Sequence, residues 1–319
     1  MKYKYRVDHP LRTFEETRSI AMDLASRNGP YRVVLAVGQD GVTLRGLALG
    51  RRVGMVEAIL VGHPRRIRSE LTAIGQDPND WNIIEEKDDD EATRIAARMT
   101  MNGEADILMR GGLLARDFFR VLLARELGLR NPGELWTNIV VTKIKTLDRL
   151  ILITDCALAV DLDLQGRLRL IQNATDFAGF LGVVEPKISL LAAVETVTPG
   201  MPVSLEEAVI AKMSERGQFT PGVIVDGPLS LDLSLSREAV AKKKMKSAVA
   251  GEADVLVVDS IYVGNLLFKS LITLCEAESA SVITGASIPI IITSRSEIAA
   301  NILNSFAVAM MMAGDKAAR

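Results

Sequence analysis

A two-domain α/β fold with mostly parallel sheets is predicted by three features of the sequence. Short β-branched runs alternate with longer segments of helical periodicity, which is the pattern of βαβ units. The chain has 319 residues, and an ordinary domain has roughly 150. It is 48% hydrophobic and 24% charged, which is the composition of a folded globular protein and not of a disordered chain.

The strands are predicted from short apolar runs, several of which are nearly all apolar, as strands buried on both faces should be. In chain order these runs are 33–37, 57–61, 105–109, 187–192, 222–225 and 254–258. The helices are predicted from segments between them with apolar residues at three- and four-residue spacing. These segments are 65–74, 91–101, 116–127, 164–181, 206–216 and 266–277. One antiparallel hairpin, 138–145 with 149–155, interrupts the alternation and marks the first domain boundary.

Composition and charge exclude several classes of protein. Lys and Arg total 38 against 40 Asp and Glu, a net charge of -2, so the chain lacks the positive field that holds a nucleic acid or an anionic membrane. Cys156 and Cys275 form neither a disulfide framework nor a zinc motif. The first ten residues do not read as a signal peptide, and no apolar run is long enough for a membrane span. We therefore expect a cytoplasmic protein without nucleic-acid or membrane partners.

Common cofactor motifs are absent from the sequence. There is no Gly-x-Gly-x-x-Gly after a strand and no Gly-x-x-x-x-Gly-Lys-Ser/Thr, which argues against the usual dinucleotide and nucleotide sites. The two histidines, His9 and His63, are far apart and have no supporting carboxylates, so both are expected at the surface.

One candidate binding segment is the strand 105–109, which runs into Arg110, Gly111 and Gly112 and then into a helix with Arg116 and Arg120. Backbone amides at such a turn can cradle a phosphate, and the arginines would add positive charge. The alternative is a tight βα turn with solvated arginines. On this turn alone the second interpretation is favoured, because glycine is common at such turns.

The second candidate segment follows the apolar run 290–292 and contains Ser294, Arg295 and Glu297 before a helix that extends to about residue 312. Ser294 and Glu297 fit a Ser-x-x-Glu capping box, which needs no function. The same residues can serve chemistry. A hydroxyl and a guanidinium at a helix start can hold an oxyanion or a phosphate, and the nearby carboxylate can take a thiol proton.

A family resemblance is carried by blocks spaced along most of the chain. They are GEADILM at 103–109, ITD at 153–155, EPK at 185–187, KM at 212–213 with RGQ at 216–218, VDGPL at 225–229, VAGEAD at 249–254, GN at 264–265 with KSL at 269–271, and TSR at 293–295. Together and in this order they resemble the phosphate acetyl/butyryl transferase family, and more closely its butyryl branch.

The resemblance implies a fold similar to isocitrate and isopropylmalate dehydrogenases, with the active site in a cleft between the domains. The first domain would be 1–142 plus 281–319, and the second, 143–280, would form a homodimer. The implied activity is reversible transfer of an acetyl, butyryl or similar short acyl group between coenzyme A and inorganic phosphate, giving an acyl phosphate. Coenzyme A would be a substrate, with no tightly bound cofactor and no metal.

The resemblance also implies site residues. Ser294 and Arg295 fall on the family's catalytic Ser-Arg pair, Arg120 on an arginine associated with coenzyme A, and Gly264 with Asn265 on a loop lining the cleft. The full candidate set is catalytic Ser294, Arg295, Glu297 and Asn301, and substrate- or coenzyme-A-binding Arg110, Gly111, Arg116, Arg120, Asp155, Asp226, Gly227, Gly264, Asn265 and Lys269.

Three segments depart from the family pattern and leave alternatives open. The family's His-Thr-Ser-Asp is 114–117 here, Leu-Ala-Arg-Asp; its Pro followed by Asn or Asp is Asp259-Ser260; and the aspartate of the acetyl-type enzymes is Asn301. Because asparagine cannot act as a general base, Glu297 would have to substitute. The alternatives are a diverged homologue, either non-catalytic or acting on another substrate, and a dehydrogenase of the same fold. The dehydrogenase would need a carboxylate metal site and a nicotinamide site, and the sequence spells out neither.

Overall fold

The computed structural model describes residues 3, 5–130, 133–294 and 297–316. The chain groups into two compact units. Unit 1 comprises Met1–Tyr5, Phe14–Glu134 and Ser279–Arg319, and unit 2 comprises Arg6–Thr13 and Leu135–Glu278.

Helices and strands alternate along most of the described chain, which confirms the predicted α/β class. The helices are α1 (Phe14–Asn28), α2 (Gly41–Arg52), α3 (Pro64–Ala73), α4 (Asp89–Met101), α5 (Ala115–Leu122), α6 (Leu164–Phe180), α7 (Pro202–Glu215), α8 (Leu231–Leu235), α9 (Arg237–Lys243), α10 (Ile261–Leu274) and α11 (Ala299–Ala313). The strands are β1 (Tyr31–Ala36), β2 (Val56–Gly62), β3 (Asn82–Glu85), β4 (Ile107–Arg110), β5 (Thr137–Lys143), β6 (Leu150–Thr154), β7 (Lys187–Leu191), β8 (Ile224–Leu229), β9 (Val255–Val258), β10 (Glu278–Thr284) and β11 (Ile290–Ile291).

The sheet of unit 1 has the strand order β3-β2-β1-β4-β11-β10. All neighbours are parallel except β10, which is antiparallel to β11. The centre of the sheet is fully buried, for example at Val34, which lies opposite Ile59 on one side and Leu108 on the other. The chain runs outward from β1 to β3 and then returns to β4, so the strand order reverses between β1 and β4. Ligands of open α/β sheets bind at such a switch point, beyond the carboxyl ends of the strands.

The sheet of unit 2 has the order β5-β6-β9-β7-β8. β5 and β6 form the predicted antiparallel hairpin, with Val140 opposite Ile153. The remaining pairs are parallel. On one face a buried cluster that includes Leu229, Leu233, Val249 and Phe268 fills the space under α8, α9 and α10. Strands buried on both faces explain why these segments read as continuous apolar runs.

Several helices differ from their predicted limits for local reasons. The predicted helix 206–216 starts earlier, because Pro202 occupies the first turn of α7, where its missing N–H costs nothing. The predicted helix 116–127 ends at Leu122 and continues only as a short 3₁₀ turn, Arg125–Leu127. The apolar period continues across this break, so the sequence does not reveal it. Among the described residues, no helix combines the length and apolarity that a membrane span requires.

Candidate functional site

The carboxyl edge of the unit 1 sheet brings both candidate segments of that unit together. β11 pairs in parallel with β4, with Ile291 opposite Met109. Since both strands end at this edge, Thr293 and Ser294 leave the sheet beside Arg110 and Gly111. The predicted binding turn and the predicted catalytic loop are therefore neighbours in the fold, although they are separated by more than half of the chain.

Gly111 is required by close backbone packing. Its N–H donates to the carbonyl of Ala36 at 2.9 Å, and the N–H of Gly112 donates to the carbonyl of Val37 at 2.8 Å. A Cβ at position 111 would lie 2.4 Å from the oxygen of Val37, which is far inside contact distance. Both amides thus bond to the end of β1, which is the geometry of the tight βα turn.

Arg110 links the turn after β4 to the segment after β11. Its side chain is buried. Nη1 donates to the carbonyl of Leu113 at 2.5 Å, and Nη2 donates to the carbonyl of Thr293. One guanidinium therefore fixes the turn after β4 and the residue that precedes Ser294.

The capping-box interpretation of Ser294 and Glu297 is wrong. The first helical residue of α11 is Ala299, and the residue before it, Ile298, has extended backbone with φ -95 and ψ 152. The N–H of Glu297 donates to the carbonyl of Ser294 at 3.1 Å, ahead of this helix. Ser294 is thus half-buried and lies ahead of the helix, and Arg295 lies outside the described residues.

Glu297 and Asn301 are joined by a side-chain hydrogen bond. Nδ2 of Asn301 donates to Oε1 of Glu297 at 2.7 Å. Oδ1 of Asn301 accepts the N–H of Ser279, in β10, at 3.1 Å. The buried amide therefore links the carboxylate of the loop to the sheet.

Arg116 and Arg120 differ in their surroundings. Nη2 of Arg120 reaches both carboxylate oxygens of Asp90, at 2.7 and 2.9 Å. This hydrogen bond holds the pKa of Asp90 below its usual value. Arg116 is largely exposed, with Nε 3.5 Å from Asp117. Arg120 is therefore paired with Asp90, and an anionic ligand that binds Arg120 would have to share it with this carboxylate.

In unit 2, Asp155, Gly264 and Asn265 come together where β6 ends and α10 begins. The buried Asp155 carboxylate accepts the N–H groups of Asn138, Ala157 and Leu158, each at 2.7 Å. Burial raises its pKa, and these backbone donors oppose that shift. A Cβ on Gly264 would lie 2.1 Å from the Asp155 carbonyl oxygen, and Asn265 donates to the carbonyl of Cys156 at 3.1 Å. Burial also raises the pKa of the Cys156 thiol well above its usual range, so it is no ready nucleophile.

The other unit 2 candidates lie apart from this group. Asp226 and Gly227 are on β8, which β7 separates from β9. Asp226 accepts a hydrogen bond from Ser247, and a Cβ on Gly227 would lie 2.6 Å from Cβ of Leu190. Lys269 is exposed on α10, one turn after Asn265.

A partly buried charged cluster in unit 2, with Glu207 at its buried end, was not anticipated from the sequence. Arg167 donates to the carbonyl of Asp259 at 2.9 Å, and its Nε lies 3.1 Å from Oε2 of Glu206. The adjacent Glu207 is only 1% exposed, and its Oε2 has no hydrogen-bond partner among the described residues. Burial raises the pKa of Glu207 to about 7, with Arg167 opposing the shift and Asp259 adding to it. A glutamate in an amphipathic helix normally marks the solvated face, so the sequence gives no signal of this burial.

The two histidines lie in different surroundings. His9 is exposed as predicted. His63 is half-buried at the residue before α3, with its Nδ1 buried, and its backbone N–H donates to Oε1 of Gln39 at 3.3 Å. In the part of the chain that the structure describes, no group of three or more His, Cys, Asp or Glu side chains is arranged to hold a metal ion.

Comparison with known proteins gives consistent matches along the chain. A family model described as phosphate acetyl/butaryl transferase matches residues 89–310. Phosphate butyryltransferase of Clostridium acetobutylicum is 35% identical over 285 residues, which are 89% of this chain and 94% of that protein. The structure of a branched-chain phosphotransacylase from Enterococcus faecalis V583 superposes with a TM-score of 0.75 at 26% identity, covering 90% of this chain and 100% of the other. A 4-hydroxythreonine-4-phosphate dehydrogenase from Klebsiella pneumoniae, with a TM-score of 0.54, 13% identity and coverage of 89% and 99%, shares the fold alone.

Proposed function

The chain belongs to the phosphate acetyl/butyryl transferase family, and from this premise we propose that it transfers a short acyl group reversibly between coenzyme A and inorganic phosphate. The observation that carries the proposal is the loop after β11. It presents Ser294 at the carboxyl edge of the unit 1 sheet, three residues before a carboxylate that Asn301 holds in place. A hydroxyl and an oriented carboxylate are the groups that this transfer requires.

The proposed reaction is a direct transfer without a covalent enzyme intermediate. Glu297 takes the proton of the coenzyme A thiol, and the thiolate sulfur attacks the carbonyl carbon of the acyl phosphate. The Ser294 hydroxyl donates to the acyl oxygen as negative charge develops there. The bond from the acyl carbon to the phosphate oxygen then breaks, and inorganic phosphate leaves on Arg295. Because an acyl phosphate is already activated, the protein mainly orients two anions and stabilises the developing charge.

Coenzyme A is expected to stabilise the protein, whereas NAD is not. A ligand that binds only the folded state raises the melting temperature, so a thermal shift separates a coenzyme A enzyme from a dehydrogenase of the same fold. Thermal unfolding should be measured with coenzyme A, with NAD, and with NAD plus magnesium, alongside an assay of phosphate-dependent loss of the thioester. Equal stabilisation by NAD would favour the dehydrogenase, and the absence of both coenzyme A binding and turnover would contradict the proposed activity.

We also propose that the reaction takes place in the cytoplasm. Cys156 and Cys275 are both free thiols, as expected in a reducing compartment. Acyl-coenzyme A and phosphate would be the soluble partners of the protein, with no tightly bound cofactor.

Unit 2 carries an apolar surface that supports the expected homodimer. Although α10 is rich in apolar residues, only Gly264 and Phe268 are buried among its residues. Tyr262, Leu266 and Leu274 are exposed by 81%, 70% and 79% and lie four or eight residues apart on one helix face. Beside them a cavity of about 720 Å³ opens at the carboxyl ends of β7, β8 and β9. Exposed apolar patches of this kind mark interaction sites, and one stripe repeated on two copies can pair with itself across a two-fold axis.

Leu266→Asp is expected to weaken this dimer at least roughly tenfold, because a carboxylate would be buried in the centre of the apolar stripe. Sedimentation at several micromolar concentrations measures the change. Val184→Asp is the matched control, since Val184 is 80% exposed but lies before β7, outside the stripe. A parent protein that is monomeric, or equal behaviour of the two variants, would contradict the assigned surface.

A further inference from the structure

We propose that Asn301 is the positioning residue of Glu297: its side-chain amide, held by the backbone of β10, aligns the Glu297 carboxylate as the proton acceptor. This inference rests on the proposed function, in which Glu297 takes the thiol proton. Asn301 itself does not touch the substrate in this scheme.

The orientation of the Asn301 amide follows from its two hydrogen bonds. The side chain is 3% exposed, so its polar atoms must find partners within the protein. The partner on the β10 side is a backbone N–H, that of Ser279, which can only donate. The amide oxygen must therefore face Ser279, and Nδ2 is left to donate to Glu297.

The placement of Asn301 is fixed by a second contact between α11 and β10. Oγ of Ser305 accepts the N–H of Ser281 at 3.0 Å and donates to the carbonyl of Asn301 at 3.1 Å. Two side chains, one helical turn apart, thus hold this helix in register with the strand. The donor that reaches Glu297 thus lies on a helix that is hydrogen-bonded to the sheet, whereas Glu297 lies ahead of that helix.

A hydrogen bond of this kind matters most for the orientation of a glutamate that lies in a loop. Its long side chain has several rotatable bonds, and a proton acceptor works only when it is held close to the productive geometry. A neutral donor at 2.7 Å restricts the carboxylate and also favours its ionised form. Asn301 can provide both effects without adding a charge.

The presence of Asn301 where the acetyl-type enzymes have an aspartate then has a physical explanation. An aspartate at position 301 would face the Glu297 carboxylate at hydrogen-bond distance, and two like charges so close oppose the ionisation of one of them. Asparagine removes that conflict. The residue pair is therefore consistent with a proton acceptor that stands at position 297 and a neutral support at position 301.

The test compares Asn301→Ala and Asn301→Asp with the parent. Asn301→Asp keeps an acceptor for the Ser279 N–H and therefore the link to β10, but it places a second carboxylate where Glu297 had its donor. Asn301→Ala removes the donor without adding a charge, and circular dichroism shows whether each variant is folded. The first readout is the pKa of Glu297, measured by NMR titration of its carboxyl carbon. The spectrum of Glu297→Gln, in which this signal is missing, assigns it. Both variants should raise this pKa, since each loses the donor that favours the charged form.

The second readout is the pH profile of kcat for the transfer. In Asn301→Ala the acid limb of the profile should move to higher pH. At pH values on this acid limb, kcat should be roughly tenfold lower than in the parent, and KM should change little. In a Glu297→Gln background the same substitution should cost nothing further, because the two residues act as one unit. Asn304→Ala, which truncates another buried amide of α11 that contacts Arg18, should leave the profile in place.

Two results would overturn the inference. One is an unchanged Glu297 pKa in both Asn301 variants. The other is a loss of rate from Asn301→Ala that is as large in the Glu297→Gln background as in the parent. If the parent protein does not catalyse the transfer, the proposed function fails, while the NMR titration still decides whether Asn301 controls the carboxylate.

Discussion

Ser294→Asp is expected to reduce turnover at least roughly a hundredfold while the protein remains folded. The new carboxylate would replace a hydroxyl that donates to the acyl oxygen, and it would repel the anionic phosphate; loss of one such preorganised contact costs about a hundredfold or more. The helix α11 begins only at Ala299, with Ile298 as its cap residue, so a damaged helix cap would not account for the same result. Steady-state rates with acyl-coenzyme A and phosphate, together with circular dichroism, measure the two effects separately.

Ser69→Asp is the matched control for this charge change. Ser69 is exposed in the second turn of α3, a helix that contributes no residue to the candidate site. It should retain the parent rate. Activity of Ser294→Asp equal to that of the control would remove Ser294 from the site, and an inactive parent would instead favour a diverged binding protein.

Arg295→Lys extends the same experiment to a residue outside those described. Lysine keeps the positive charge but loses the planar fork that binds phosphate through two donors. If Arg295 holds the leaving phosphate, the rate should again fall about a hundredfold. Wild-type activity in this variant as well as in Ser294→Asp would defeat the assignment of the Ser-Arg pair.

Most strands were predictable because their burial leaves a direct mark on composition. A strand with helices on both faces must be apolar at consecutive positions, as Val33, Val34 and Leu35 are. The hairpin of β5 and β6 was equally visible, since two extended runs are separated by only a few residues. In both cases the feature that determines the structure, burial or a short connection, is visible in the local sequence.

The helix boundaries near the site were harder to predict, because the residues around them bond to distant parts of the chain. Thr293 is held by Arg110, and Asn301 by Ser279. Neither partner is near in the sequence, so the local Ser-x-x-Glu pattern pointed to a cap that does not form. The same limitation applies to Glu207, which is buried by its packing in unit 2 although its own helix reads as amphipathic.

The N-terminal segment 6–13 illustrates a further limit. It belongs to unit 2, where the N–H of Leu11 donates to the carbonyl of Leu181 at 3.0 Å. A single backbone bond between residues so far apart leaves no periodicity and no special residue type at either end. The one local trace is Gly182, whose positive φ and contact with the His9 carbonyl exclude a side chain.

Substitution by alanine at two helical glycines of unit 2, Gly179 and Gly264, should have opposite effects on stability. Gly179 lies in α6, and a methyl group added there would have no heavy atom within 4 Å, so Gly179→Ala should stabilise the protein by about 0.5–1 kcal/mol through helix propensity. Gly264 lies in α10, where a Cβ would be 2.1 Å from the Asp155 carbonyl oxygen. Since that atom is backbone, no side-chain rotation relieves the clash, and Gly264→Ala should cost about 3 kcal/mol.

Denaturant unfolding of both variants measures these changes in the free energy of unfolding, and the paired design cancels the common effect of replacing glycine in a helix. The Gly264 variant carries a second expectation. Relief of the clash must move α10 away from the loop at Asp155 and Cys156, and this would break the hydrogen bond from Asn265 to the Cys156 carbonyl. If this loop contributes to coenzyme A binding, KM for coenzyme A should rise in Gly264→Ala under conditions where the protein is still folded, and remain unchanged in Gly179→Ala. Equal stabilities of the two variants would contradict the close approach at Gly264, whereas a stability loss with unchanged KM would show that the approach serves packing alone.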